Sequence, residues 1–184
     1  MKIALISDTH GDLDSFLAIK NRLDSYDLII HTGDILNHGP KNPIPKGYNP
    51  GLLGEEIAKI KTPFIWVKGN CDSEVDKIAT LRTYIFPYFF MIYNNIKILA
   101  THGDIDFVYE DAKKLGVNIF VSGHTHIPLI KKENNIIFIN PGSTSIPKGK
   151  YGGSFGEIVF DEKVVINIYE ISKMEKIYSE KFQL

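Results

Sequence analysis

The chain has 184 residues, 43% of them hydrophobic and 23% charged, with a formal net charge of −1 at pH 7. That balance fits a soluble globular fold and excludes the basic field by which a protein grips nucleic acid or an anionic membrane. One domain spanning 1–184 is the simplest organisation, long enough to bury about two-thirds of its unfolded surface. Arg22 and Arg82 are the sole arginines, so bidentate arginine recognition of phosphate is scarce and a phosphate site would need metal. The single cysteine, Cys71, cannot close an internal disulfide, and no segment has the apolar length of a signal core or of a span of about 20 residues; a cytoplasmic location is expected.

In chain order, Lys2 to Ser7 is the first short apolar run, and it stops at Asp8-Thr9-His10-Gly11. Leu13, Phe16, Leu17, Ala18 and Leu23 then recur at helical spacing, with Asp12 or Asp14 placed to cap the first turn. Leu28 to His31 reads as a second strand ending at Gly33-Asp34. Ile35 to Pro50 follows, a stretch rich in glycine, proline and asparagine; loops of that length are usually functional or assembly surfaces. A helix is expected from near Leu52 to Lys61, because Pro63 biases Thr62 away from helical geometry. Phe64 to Lys68 reads as the next strand and runs into Gly69-Asn70.

Tyr84 to Ile92 and Ile96 to Thr101, separated by Asn94-Asn95, predict a hairpin whose second arm leads into His102-Gly103. Asp104 or Asp106 is placed to cap a helix that Gly116 stops after Leu115. Val117 to Ser122 returns as a strand and ends at Gly123-His124-Thr125-His126. Leu129 to Lys132, Ile136 to Ile139, Phe155 to Phe160 and Val164 to Ile171 read as further strands, while the tail from Lys173 shows no clear pattern. Two sheets packed together with helices outside is the economical architecture.

Five strand-like runs thus end at oxygen or nitrogen ligands, where α/β sheets bind their partners. Asp8 and His10 are two apart, as are His124 and His126, and in extended backbone such pairs project to one side. With Asp34, Asn70 and His102 they make seven side chains, more than one ion normally takes, so two ions sharing a carboxylate is the sharper expectation. Imidazole, carboxylate and amide oxygen suit Mn, Fe, Co, Ni or Zn. His31 reads as a strand histidine, and His38, in the loop after Asp34, is a substrate-contact candidate. Asn140-Pro141-Gly142-Ser143 has type II turn chemistry, with backbone contact near the site as the alternative. The aromatic stretch Tyr84 to Tyr93 lacks interleaved cations, which points to core or an assembly face of a homo-oligomer rather than a base-stacking platform.

Taken in order from Ile3 to Lys148, Asp8-Thr9-His10, Gly33-Asp34, Gly69-Asn70, Thr101-His102-Gly103 and Gly123-His124-Thr125-His126 resemble the calcineurin-like metallophosphoesterase signature. Within it, Asp34-Ile35-Leu36-Asn37-His38-Gly39-Pro40, Gly47-Tyr48, Gly69-Asn70-Cys71-Asp72-Ser73-Glu74-Val75-Asp76 and Asn140-Pro141-Gly142-Ser143 are similar to small bacterial phosphodiesterases of the YfcE type. The resemblance implies a four-layer α/β sandwich of two mixed β-sheets flanked by helices. It implies Asp8, His10 and His126 on one metal, Asn70, His102 and His124 on the other, Asp34 bridging, and manganese as the first choice of ion. It further implies in-line hydrolysis of a small phosphodiester by a bridging hydroxide, with Asp34, Asn70 and His102 central to catalysis. No specific nucleic-acid or membrane partner is expected. The rival readings are a phosphomonoesterase or nucleotide phosphatase, and a non-catalytic scaffold like the retromer subunit that shares the fold.

The departure from the broader family lies at Cys71, a second substrate-contact candidate, where many relatives carry a histidine that assists the leaving oxygen. A thiol is a weak hydrogen-bond donor, which narrows the expectation towards diesters with good leaving groups. Asp72 is read as a helix cap, with a protonated acid facing the site as the alternative. Cys71→His is expected to raise hydrolysis of diesters with alkyl leaving groups more than of those with aryl ones; parallel rate assays on both classes check it.

Overall fold

A computed structural model describes residues 1–183, and the chain order among them is β1 (Lys2–Ile6), α1 (Leu13–Leu23), β2 (Leu28–His31), α2 (Pro50–Ala58), β3 (Phe64–Val67), α3 (Asp76–Thr80), β4 (Tyr84–Ile85), β5 (Tyr88–Tyr93), β6 (Ile96–Thr101), α4 (Phe107–Leu115), β7 (Ile119–Val121), β8 (Leu129–Glu133), β9 (Ile136–Asn140), β10 (Ser154–Phe160), β11 (Val164–Glu170) and β12 (Glu175–Phe182). The strands form a seven-stranded sheet, β12-β11-β10-β1-β2-β3-β4, and a five-stranded sheet, β5-β6-β7-β9-β8. Strands β1, β2 and β3 run parallel in the first, as do β6, β7 and β9 in the second. Their carboxyl ends carry the ligand clusters.

The alternation along each central strand sets the layers. Ile3 and Leu5 of β1 face a core between the sheets, where they meet Ile98, Ala100, Ile119 and Val121. Ala4 and Ile6 face the other way, onto Phe16, Ile19 and Leu23 of α1 and Leu53 and Ile57 of α2. On the far side, Leu99 and Phe120 pack beneath Val108 and Ala112 of α4. Helix, sheet, sheet, helix is the expected four-layer sandwich, and strands buried on both faces explain the unbroken apolar runs.

Helix starts follow local chemistry in part. The Asp12 carboxylate accepts the Ser15 N–H at 3.1 Å and caps α1, while Asn49 accepts from Leu52 at 3.2 Å ahead of Pro50 and caps α2. Gly116, at φ +66°, ends α4 as expected, but α4 begins at Asp106 with backbone already helical and no side-chain cap. The aromatic stretch is not one strand. Tyr84–Ile85 pairs with β3 in the larger sheet, and after Phe86-Pro87 the chain crosses to the smaller sheet as β5; Pro87 has no N–H for a continuous ladder. Helix α3 is too short to show a periodicity in sequence, and β12 gives the tail a place on the edge of the larger sheet.

Asp72 neither caps a helix nor offers an acid to the site. Buried, it accepts the backbone N–H groups of Asp34 at 2.9 Å, Ile35 at 2.8 Å and Gly69 at 2.7 Å, and the Trp66 indole at 2.9 Å. Burial pushes its pKa up, while four donors favour the ionised form. One carboxylate therefore ties the loop after β2 to the loop after β3. Asp72→Ala leaves four donors without an acceptor and is expected to cost about 3 kcal/mol or more of stability, measured by denaturant unfolding.

A second polar knot sits on β10. The Glu157 carboxylate accepts from the Tyr26 and Tyr169 hydroxyls and the Asn167 amide, each at 2.7 Å. Partial burial pushes its pKa up, but these donors hold it below the ordinary glutamate value of 4.5. A carboxylate depressed in the folded state stabilises above its unfolded pKa, and that contribution is lost as pH falls through the folded one. Acidification below about pH 4.5 is therefore expected to destabilise the native chain more steeply than Glu157→Gln, as thermal melts over a pH series will read.

Candidate metal centre

Beyond the strand ends the backbone turns sharply. Asp8, His10, Asp34, His124 and His126 all adopt left-handed conformations, with φ of 52°, 46°, 59°, 65° and 61°. This corrects the extended geometry expected for Asp8/His10 and His124/His126: the paired side chains converge because alternate residues sit in left-handed turns. Aspartate and histidine tolerate that region better than most side chains, and such conformations concentrate at functional sites. Close approach does the rest. A Cβ on Gly69 would lie 2.2 Å from Asp34 Oδ1, and one on Gly123 would lie 2.8 Å from Asp8 Oδ2.

Two clusters of donor atoms result. In the first, His126 Nε2 is 3.2 Å from both Asp8 Oδ1 and His10 Nε2, and His10 Nε2 is 3.7 Å from Asp8 Oδ1. In the second, Asn70 Oδ1 lies 3.0 Å from His102 Nε2 and 2.9 Å from His124 Nδ1, with 3.2 Å between the two imidazole nitrogens. Asp34 Oδ2 stands between them, 3.9 Å from His10 Nε2 and 3.5 Å from His102 Nε2. Atoms bound at about 2.1 Å around one ion are roughly 3.0 to 3.4 Å apart, so each cluster has the span of a coordination shell.

Hydrogen bonds fix which nitrogens face inward. His10 Nδ1 donates to the Asn37 carbonyl, His102 Nδ1 to the Thr32 carbonyl and His126 Nδ1 to the Ile146 carbonyl, each at 2.7 Å. A carbonyl can only accept, so each Nε2 turns a lone pair towards its neighbours in the neutral ring. Asp8 is held likewise. Its Oδ2 accepts from Ser7 Oγ at 2.5 Å and from His124 N–H at 3.0 Å, while buried Oδ1 has no hydrogen-bond partner. Asp34 Oδ1 accepts the Cys71 N–H at 2.8 Å, leaving Oδ2 to the imidazoles. Converging lone pairs and carboxylates fit a cation.

The electrostatics agree. Burial alone would push the pKa of Asp8 up, yet the imidazoles of His10, His126 and His102 hold it well below the carboxylate range. Burial lowers His102, but Asp34 and Asp8 outweigh it and raise the ring to about 9. His10 is raised by the same carboxylates against its burial. His124 is lowered by burial and by the charge on His102. Positive charge is drawn to the middle of the site, as a proton or as a metal ion in its place.

All seven ligand-type side chains expected from the sequence meet here. The first cluster is buried, whereas Asn70 and His124 are exposed on the floor of a cleft of about 680 Å³ whose wall includes His38, Pro40 and Cys71. Burial pushes the Cys71 thiol up to about 12. Its sulfur packs against Gly39, where an added Cβ would lie 2.6 Å from it. His31 is buried outside the clusters; burial pushes it down to about 3, and it bridges Thr9 Oγ1 at 2.9 Å and the Gly33 N–H at 3.1 Å. Sequence reasoning missed the supports of the Asp8 loop. Ser143 Oγ donates to the Asp8 carbonyl at 2.6 Å, and the Asn140 amide donates to the Gly123 carbonyl at 2.7 Å. The glycine-flanked Asn140-Pro141-Gly142-Ser143 turn was the available signal; the carbonyls of Asn37, Thr32 and Ile146 carry none.

Comparison with known proteins accounts for this arrangement. Residues 1–163 match the calcineurin-like phosphoesterase superfamily domain. The chain is 35% identical over 181 residues to phosphodiesterase YfcE of Escherichia coli, covering 96% of this chain and 97% of that one. It is 31% identical over 158 residues to the probable metallophosphoesterase MJ0623 of Methanocaldococcus jannaschii, covering 80% and 70%. The solved structure of the Escherichia coli phosphoesterase Yfce superposes with a TM-score of 0.86 at 29% identity over the whole of both chains. Vps29 of Cryptosporidium parvum, with a TM-score of 0.70 at 20% identity over 100% of this chain and 98% of that one, shares the fold. The chain belongs to the calcineurin-like phosphoesterase superfamily.

Proposed function

We propose that this chain, acting as one domain, hydrolyses small phosphodiesters with two divalent cations. Asp8, His10 and His126 would hold one, Asn70, His102 and His124 would hold the other, and Asp34 would be shared between them. The observation that carries the reading is the pair of donor clusters with a single carboxylate oxygen between them. When bound, the cations lower the pKa of a water between them and offset negative charge gathering on the phosphoryl oxygens. Nitrogen and oxygen donors without a committed thiolate suit Mn, Fe, Co, Ni or Zn, and the family resemblance puts manganese first.

The protein's own groups do the positioning. The carbonyls of Asn37, Thr32 and Ile146 hold three rings in one tautomer, and the Cys71 N–H holds Asp34 so that Oδ2 faces both clusters. The exposed Asn70 and His124 put the second cluster at the cleft floor, where a phosphoryl group can approach. The phosphodiesterase name of the Escherichia coli relative supports a diester as substrate. A non-catalytic scaffold role is not favoured, because every ligand position here keeps a metal-binding side chain.

Chelation is expected to abolish turnover of bis(4-nitrophenyl) phosphate and Mn²⁺ to restore it, with 4-nitrophenyl phosphate turned over more slowly. Asp34→Ala is expected to lower the rate by about a hundredfold or more while the thermal melt stays near that of the native chain. Retained activity with two metals bound per chain would show the bridge to be misassigned, and no metal-dependent turnover of either substrate would sink the enzyme reading.

A further inference from the structure

We propose that His38 is the residue that contacts the leaving group, donating a hydrogen bond from Nε2–H to the ester oxygen that departs from phosphorus. The inference rests on the phosphodiesterase reading and adds to it the group that reads the departing alcohol.

The loop that carries His38 is fastened at nearly every other point. The Asn37 carbonyl accepts from His10 Nδ1 at 2.7 Å, and the Asn37 amide lies 3.3 Å from Asp76 Oδ2. The Asn42 amide donates to the His38 carbonyl at 3.0 Å, and Gly39, at φ +74°, is pressed against the Cys71 sulfur. The edge of Tyr48 meets the imidazole at right angles, with 5.2 Å between ring centres. Among the described residues the imidazole makes no hydrogen bond, and its Nδ1 is buried without a partner. Such an atom calls for an explanation. With Nδ1 enclosed, a proton there would be stranded, so the favoured neutral tautomer carries its hydrogen on Nε2, the nitrogen left for a ligand in the cleft.

Elimination within the cleft points to the same ring. Asn70 and His124 turn Oδ1 and Nδ1 towards the second donor cluster. Cys71 accepts from the Asn70 amide at 3.2 Å, and a thiol is a weak donor. Lys41 is exposed on a flexible stem at the rim, with no contact to fix it. Among the cleft residues outside the two donor clusters, His38 combines a strong donor, a fixed backbone and a lack of internal partners among the described residues. In the step it serves, a bond forms between the attacking oxygen of water and phosphorus, and the ester P–O bond breaks. The attacking water gives up one proton to solvent as its oxygen bonds to phosphorus, and the electron pair of the broken bond stays on the leaving oxygen, which accepts the Nε2–H hydrogen bond and takes a proton from solvent as the alcohol is released.

The test compares bis(4-nitrophenyl) phosphate with diphenyl phosphate, whose leaving group is more basic, in metal-loaded native, His38→Leu and His38→Gln proteins. Loss of a donor to developing charge matters more as the leaving group grows more basic. His38→Leu is expected to slow diphenyl phosphate by about tenfold or more and bis(4-nitrophenyl) phosphate by less than about threefold, and His38→Gln, which keeps an N–H, to recover much of the difference. Equal slowing of both substrates, or none, would overturn the assignment. Independently of turnover, the His38 ring ¹⁵N signals of Zn²⁺-loaded protein are expected to shift on titration with phenyl phosphate. Binding of phenyl phosphate without a shift would overturn the role of His38 alone, whereas no binding at all would overturn the phosphodiesterase reading beneath it.

Discussion

Three hydrogen bonds from imidazole to main-chain carbonyl are the constraint on which the rest of the site depends. His10, His102 and His126 each give a ring hydrogen to a backbone oxygen at 2.7 Å. In the neutral ring the other nitrogen is left to accept, and the fold aims all three at two buried carboxylates. Neutral lone pairs and negative oxygens gathered in this way repel one another unless positive charge lies among them. Such a donor set fits cations, with Asp8, His10 and His126 in one group and Asp8, Asp34 and His102 in another.

That geometry is expensive in local terms, and the surrounding structure over-determines it. Five ligand-type residues sit in left-handed backbone conformations, each of which costs free energy for a side chain with a Cβ. Asp72 holds the loops of β2 and β3 together with four hydrogen bonds, and Ser143 holds the Asp8 loop from the opposite side. Glycines beside the ligands let backbone approach carboxylate at distances no Cβ would allow. The layers beneath are ordinary by comparison: apolar strands buried on both faces, which need no ion to pack.

The same fold carries different work in different proteins, so the sandwich by itself assigns nothing. Vps29 of Cryptosporidium parvum shares the fold at 20% identity. What bears on chemistry is the donor set at the strand ends and the cleft above it, where the buried cluster is closed off and the second opens to solvent. The family match spans residues 1–163, and the donor set lies within that span.

The sequence by itself determined the parts of this protein that depend on side-chain type and short-range order. Apolar runs ending in glycine and ligand residues located every strand that feeds the site, and Asp12 and Gly116 show their local roles in residue identity. The motif order marked the superfamily. Long-range placement was beyond it: the split of Tyr84 to Tyr93 between two sheets, the edge position of β12, and the conversion of Asp72 from an apparent cap to a tie between loops. Tertiary structure alone decided that Asp8 and His10 converge through left-handed turns, because backbone conformation beyond a strand end answers to whatever packs against it. It also decided which imidazole nitrogens face inward, since the groups that choose are main-chain carbonyls, present at every residue and so invisible in any one of them.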